Sequence, residues 1–157
     1  MINSKLYSIG YGNRSMKQFI EILQKNDIQL LVDVRTNPVS RFKPEFNSKA
    51  FQVTLSEYGI QYINKVELGG KPKSEEFYQN GKLDYDKLRK SIPYLKGIEY
   101  LERGLEFGYR MVVMCSELDF NNCHRNNLIG EDMNRRGWEV IHINKQGEPQ
   151  LHQTGLF

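Results

Sequence analysis

Residues 111–125 read MVVMCSELDFNNCHR and hold both cysteines of the chain, one of its three histidines, two carboxylates and an arginine. An apolar run stops at Cys115, and a polar stretch leads on to Cys123, His124 and Arg125. A cysteine that ends a buried strand and meets arginines or a helix N-terminus is held toward its thiolate, which is the nucleophile. In that arrangement His124 acts as acid or base and Glu117 orients it, with Cys123 beside them. The competing chemistry is a metal centre. Cys115, Cys123 and His124 would supply two or three soft ligands, with His142 or His152 as a further one. The spacing is not that of a zinc finger or ribbon, and adjacent helical residues such as Cys123 and His124 point about 100° apart. A transition metal is therefore the minor alternative, and the sequence requires no cofactor. Cys115 packing as a small buried hydrophobe weighs equally with a reactive Cys115. A phosphatase-type loop needs arginine six positions after the cysteine, and that position holds Asn121.

These residues need elements that bring them together. LYSI (6–9) reads as a strand, and the loop 10–14 follows it. Ser15 then opens a helix with Gln18 three residues on, as a capping box requires. Met16, Phe19, Ile20 and Leu23 recur at helical spacing and give that helix one buried stripe. Residues 30–34 form a second strand, apolar on both sides of Asp33, as expected of a parallel sheet covered on both faces. A proline-broken loop, 35–47, precedes a helix from about Ser48 to Gly59, and 60–63 is a third strand. Residues 67–82 read as a long irregular loop. Residues 84–107 are helical and divided by Pro93, which suits a first turn and not an interior. Strands over 110–115 and 139–143 flank a helix over 121–136, and a polar tail follows. The alternation predicts a single α/β domain over 1–157, a Rossmann-like three-layer sandwich with a mainly parallel sheet of about five strands.

In such sheets ligands bind outside the carboxyl ends of the strands. The first strand there delivers Gly10, Gly12 and Arg14. The second delivers Asp33 and Arg35, with Ser40 and Arg41 behind, and the third leads to Glu67, Gly69 and Gly70. The fourth delivers Cys115 and Glu117, with Arg125 opening the next helix. Four arginines on one rim would hold a phosphate or nucleic-acid backbone in bidentate fashion. Any one of them, taken singly, is more often paired with a nearby carboxylate. Asp33 weighs evenly between neutralising Arg35 or Arg14 and taking part in chemistry. Gly10-x-Gly12-x-x-Ser15 departs from the dinucleotide fingerprint at its last position, and turn chemistry accounts for it.

Composition bounds the reading without deciding it. Net charge is +3 over 157 residues, which permits an anionic partner without demanding one. No stretch approaches the ~20 apolar residues of a membrane span, so no membrane partner is expected. The sequence begins without a secretory pattern, so a cytoplasmic location with reduced thiols is expected. Nothing bears on oligomeric state.

The segments SIGYGNRS (8–15), LVDVRTNPVSRFKPEFN (31–47), GIQYINKVELGG (59–70), VVMCSELDFNNCHR (112–125) and GWEVIHI (137–143) together resemble the domain-of-unknown-function 488 family, a bacterial and archaeal group. The resemblance implies the α/β fold. It singles out Arg14, Asp33, Arg35, Ser40, Arg41, Cys115, Glu117, Cys123, His124 and Arg125, and it supplies no reaction. Many members carry His-Ser where this chain has Tyr11-Gly12. The layout is also loosely similar to rhodanese-like domains: LLVDVRTNP (30–38) matches their aspartate–arginine strand, and Cys115 ends a strand as their sulfur carrier does. Their compact cysteine loop is absent here. The expected function is an enzyme acting on a phosphorylated small molecule or nucleic acid. The alternatives are a non-catalytic nucleic-acid binding module, with Tyr11, Phe42 and Phe46 as stacking aromatics, and a sulfurtransferase using Cys115.

Overall fold

The computed structural model describes residues 5–118 and 125–153, with the side chains of 125–127 outside that set. In chain order the elements are β1 (Lys5–Gly10), α1 (Met16–Lys25), β2 (Leu30–Asp33), α2 (Ser48–Glu57), β3 (Gln61–Asn64), β4 (Tyr78–Gln79), β5 (Lys82–Leu83), α3 (Tyr85–Arg89), α4 (Ile92–Glu106), β6 (Met111–Cys115), α5 (Glu131–Arg135), β7 (Glu139–Ile143) and β8 (Pro149–Leu151).

Local chemistry explains the boundaries. The Ser15 hydroxyl accepts from the Gln18 N–H while the Gln18 side chain accepts from the Ser15 N–H, which completes the capping box that starts α1. Phe19, Ile20 and Leu23 are buried along its inner stripe, each contributing about 1.5–3 kcal/mol on full burial. Pro93 sits in the first turn of α4, where its missing N–H costs nothing, and the chain breaks between α3 and α4 just before it.

Six strands form one sheet in the order β3-β2-β6-β1-β7-β8. The first five of these run parallel, and β8 closes the far edge antiparallel to β7. β4 and β5 form a separate hairpin inside the stretch expected to be irregular. Helices cover both faces. On one face α1 and α2 pack Phe19, Leu23, Phe51 and Leu55 against Leu31, Val112 and Met114. On the other, α4 and α5 pack Tyr94, Ile98, Leu101 and Met133 against Leu6, Val32, Met111 and Val113. This is the three-layer arrangement that buried parallel strands require.

The structure adds a sixth strand to the five read from sequence. β8 is exposed along its length and carries no apolar alternation, so it left no periodic signal. The helix expected over 121–136 is α-helical only from Glu131 to Arg135, after a π-helical turn over Arg125–Gly130; residues 121–124 lie outside the described set. No helix among the described residues is long and apolar enough to cross a membrane.

Candidate functional site

Strand order locates the crevice. The β1-to-β2 crossover through α1 lies over one face, and the β6-to-β7 crossover through α5 lies over the other. Right-handed connections running in opposite directions must use opposite faces. β6 and β1, adjacent in the sheet, are therefore the strands from which the chain departs both ways, and their carboxyl ends are the topological switch point. Cys115 and Gly10 are register partners there. The pairing continues past both strands, with the Tyr11 N–H donating to Cys115 O at 3.2 Å and the Gly12 N–H to Ser116 O at 3.0 Å. A Cβ on Gly10 would fall 1.6 Å from the Glu117 carbonyl oxygen, so only glycine lets the two loops meet.

On the α1/α2 face of this rim, Asp33 and Arg35 form a buried bidentate pair. Arg35 Nε lies 2.9 Å from Asp33 Oδ1, and Nη2 lies 2.7 Å from Oδ2. The Asp33 carboxylate also accepts from the Arg35 backbone N–H at 3.1 Å and from the Tyr62 hydroxyl at 2.6 Å. Arg35 Nη2 donates to Phe46 O at 2.7 Å, and the guanidinium carbon sits 5.3 Å from the centroid of the Tyr11 ring, which stacks on Phe46. Burial alone would lower the Arg35 pKa; its hydrogen bond to Asp33 and the Asp33 charge more than offset this and raise it above the ordinary arginine value. Burial, with the Asp33 hydrogen bond and charge adding to it, pushes the Tyr62 phenol far above its usual range. Among the described residues Arg35 Nη1 has no hydrogen-bond partner.

On the α4/α5 face, Cys115 is buried, 3% exposed, and packed in the cluster that holds Val113 and Val34. Its Sγ lies 3.7 Å from the Glu117 carbonyl oxygen, as a thiol donor to that carbonyl. Strand alternation separates it from Asp33, whose β6 register partner is Met114. The structure thus brings Asp33 together with Arg35, and Cys115 together with the backbone of Glu117, on opposite faces of one rim. Glu117 itself is exposed. Cys123 and His124 lie outside the described residues, as does the Arg125 side chain.

The remaining rim residues divide by role. Arg14 is buried and ties two strand ends together, its Nη1 donating to Gly10 O at 3.2 Å and its Nη2 to Asn144 O at 2.6 Å. The loop after β2 is pinned by Ser40, whose N–H donates to Asn47 Oδ1 at 2.5 Å and whose hydroxyl accepts from the Lys43 N–H at 3.0 Å. Between them Arg41 is exposed and Phe42 is 94% exposed. Gly69 is buried, and a Cβ there would sit 2.2 Å from Thr36 Oγ1, so the close approach requires glycine; Gly70 beside it is half-buried. Thr36, Val66, Gly69, Pro72, Phe77 and Tyr94 line a largely apolar cavity of ≈ 380 Å³ at this end of the sheet.

Sequence reasoning missed Tyr62 as a partner of Asp33, and it missed a buried polar chain. Ser8 Oγ is hydrogen-bonded to His142 Nδ1, His142 Nε2 to His152 Nδ1 at 2.8 Å, and His152 Nε2 to Glu131 Oε1 at 2.9 Å. The signal was a polar residue at an inward position of each of two apolar strands, Ser8 in β1 and His142 in β7. All four ring nitrogens are engaged, so neither imidazole offers a lone pair to a metal without breaking the chain. Among the described residues no three His, Cys, Asp or Glu side chains are disposed to hold a metal ion.

A family model described as Domain of unknown function DUF488 matches residues 15–130. No curated protein and no solved structure matches the chain. The matched segment carries the Asp33–Arg35 pair, the 36–47 loop, Gly69-Gly70 and the Cys115 strand end. With most of its length covered, the chain belongs to this domain-of-unknown-function 488 family.

Proposed function

We propose that this protein is an enzyme acting on a phosphorylated or nucleic-acid substrate at the carboxyl rim of its sheet. The observation that carries the reading is the loop after β2. It presents Phe42, 94% exposed, between Arg41 and Lys43, and it is anchored by Ser40 and by Lys43 Nζ donating to Arg14 O at 2.7 Å. An aromatic ring presented to water on a pinned backbone offers a face on which a base can stack, and flanking cations suit the phosphate that the base carries. Cys115 supplies the reactive group at the switch point nearby along the rim, and Asp33 and Arg35 fix the loop's point of departure. His124, Glu117 and Cys123 remain assigned to proton transfer around Cys115, and Arg125 to the substrate anion.

The same loop favours a second reading, a nucleic-acid binding module with no chemistry. Two variants separate the readings. Phe42→Ala should weaken binding of a single-stranded oligonucleotide by about 1–3 kcal/mol, the range of one stacking contact, and leave the melting temperature unchanged. Binding should also fall steeply with salt. Cys115→Ser should keep that affinity and abolish conversion of bound oligonucleotides or phosphorylated nucleosides. Conversion that survives Cys115→Ser removes the cysteine from the reaction. No oligonucleotide binding at low salt removes the binding-module reading and confines the enzyme reading to phosphorylated small molecules.

A further inference from the structure

The chain Ser8–His142–His152–Glu131 crosses from the central strand β1 through β7 to the residue after β8 and then to α5. Ser8 and His142 are fully buried, His152 is buried, and the Glu131 side chain is 19% exposed. Its hydrogen bonds can be assigned a direction from the outer end inward. Glu131 is a carboxylate beside Arg135, whose Nη2 lies 3.6 Å from Oε2, so His152 Nε2 carries a hydrogen and donates to Oε1. With both rings neutral, Nδ1 of His152 is an acceptor and His142 Nε2 donates to it. That leaves His142 Nδ1 an acceptor, and the Ser8 hydroxyl donates to it. Every group is satisfied in one polarity, with both rings neutral. The backbone holds the alignment, since the His152 N–H donates to Val140 O at 2.8 Å and His142 pairs with Gln150 across β7 and β8.

We infer that these four residues form a proton relay between the floor of the switch-point site and solvent at Glu131. The chain accepts one further proton by reversing its polarity. A proton arrives at Ser8 Oγ, and Ser8 passes its own to His142 Nδ1. His142 passes its Nε2 proton to His152 Nδ1, and His152 passes its Nε2 proton to Glu131 Oε1. The rings end neutral in the other tautomer, Glu131 ends as a carboxylic acid, and only O–H and N–H bonds are made or broken. The logic is that of a serine–histidine–carboxylate triad lengthened by one imidazole. Here the serine is sealed from solvent, so its hydroxyl serves as inlet and not as nucleophile. Ser8 lies on β1 two residues before Gly10, the register partner of Cys115, and projects on the same face as Cys115. The thiol at the rim is assigned as the proton source; that assignment rests on the function proposed above, and the wiring does not.

Nitrogen-15 NMR of histidine-labelled protein tests the wiring directly. Both rings should show the Nε2–H tautomer at neutral pH, and the His142 ring hydrogen should exchange with D₂O through the chain. In Glu131→Gln the amide oxygen still accepts from His152, so the tautomers should persist, but the outlet is gone and that exchange should slow by about tenfold or more. A chain with a purely structural role gives the opposite sign, because weakening one end loosens it and exchange speeds up. An Nδ1–H proton on either ring in the wild type, or exchange unchanged or faster in Glu131→Gln, overturns the relay. Neither readout involves Cys115 reactivity or oligonucleotide binding, so this inference and the proposed function can fail separately.

Discussion

The two faces of the sheet solve the problem of buried polarity in different ways. On the α1/α2 face, opposite charges two residues apart close on each other, with the Tyr62 hydroxyl donating to Asp33 and Phe46 O accepting from Arg35. On the α4/α5 face, neutral groups up to 134 residues apart in sequence, Ser8 and His142, are linked in series toward one carboxylate near the surface. The first network is local and charged. It is stiff, because either partner left alone would be a bare ion in a dry interior. The second is long-range and polarised, and it can reverse without creating a buried charge. One suits holding a loop, the other suits moving a proton.

The contrast is sharpest in stability. Asp33→Ala strands the Arg35 guanidinium without its carboxylate and should cost about 3–5 kcal/mol in urea unfolding. The double variant Asp33→Ala/Arg35→Leu should recover much of that loss, because the penalty belongs to the unpaired charge and not to a missing attraction. If the double variant is as unstable as the single, the pair is not the charged lock described here.

Tyr62→Phe removes a hydrogen bond to an ionised acceptor and should cost about 1.5–3 kcal/mol. It also predicts a pH effect of definite sign. The folded-state pKa of Tyr62 is raised above the usual 10.0, first by burial and then by Asp33. Its stabilising share is therefore fully present below the unfolded value and is lost as pH rises through the folded one. Stability measured by denaturant between pH 9 and pH 11 should decline in the wild type and decline less in Tyr62→Phe. Parallel curves would detach Tyr62 from the network.

Ser8→Ala should have the smallest effect, about 1–3 kcal/mol, because it leaves the buried His142 Nδ1 without this donor. A loss as large as that of Asp33→Ala would mean that the α4/α5 chain is also a lock, and the functional contrast between the faces would disappear.

Much of the scaffold was legible because its signals are local. The Ser15–Gln18 box, the Pro93 break and the two-sided apolar strands each name their element without tertiary information. Asp33 and Arg35 were legible as neighbours, two apart on one strand end, and the structure gives Asp33 the neutralising contact with Arg35 that was one of its two readings. The convergence of four arginines was a different matter. Arg14 points to backbone carbonyls at two strand ends and Arg35 to Asp33, because a buried guanidinium takes the nearest acceptor, and no sequence pattern shows which acceptors a parallel sheet will place within reach. The Ser8–His142–His152 link depends on β7 lying beside β1 and β8 turning back upon β7. Strand order is a global property, and β8 carried no periodicity to announce it.

The central claim is that Cys115 at the β1/β6 switch point is a working thiol, although it is only 3% exposed. The most direct test is the rate of Cys115 alkylation in the folded protein, followed by peptide mass spectrometry across pH. The account predicts modification far faster than global unfolding, a midpoint below the ~8.5 of an ordinary cysteine, and protection by oligonucleotide. Alkylation that proceeds only as fast as the protein unfolds, indifferent to oligonucleotide, would show a packed core residue and contradict the account.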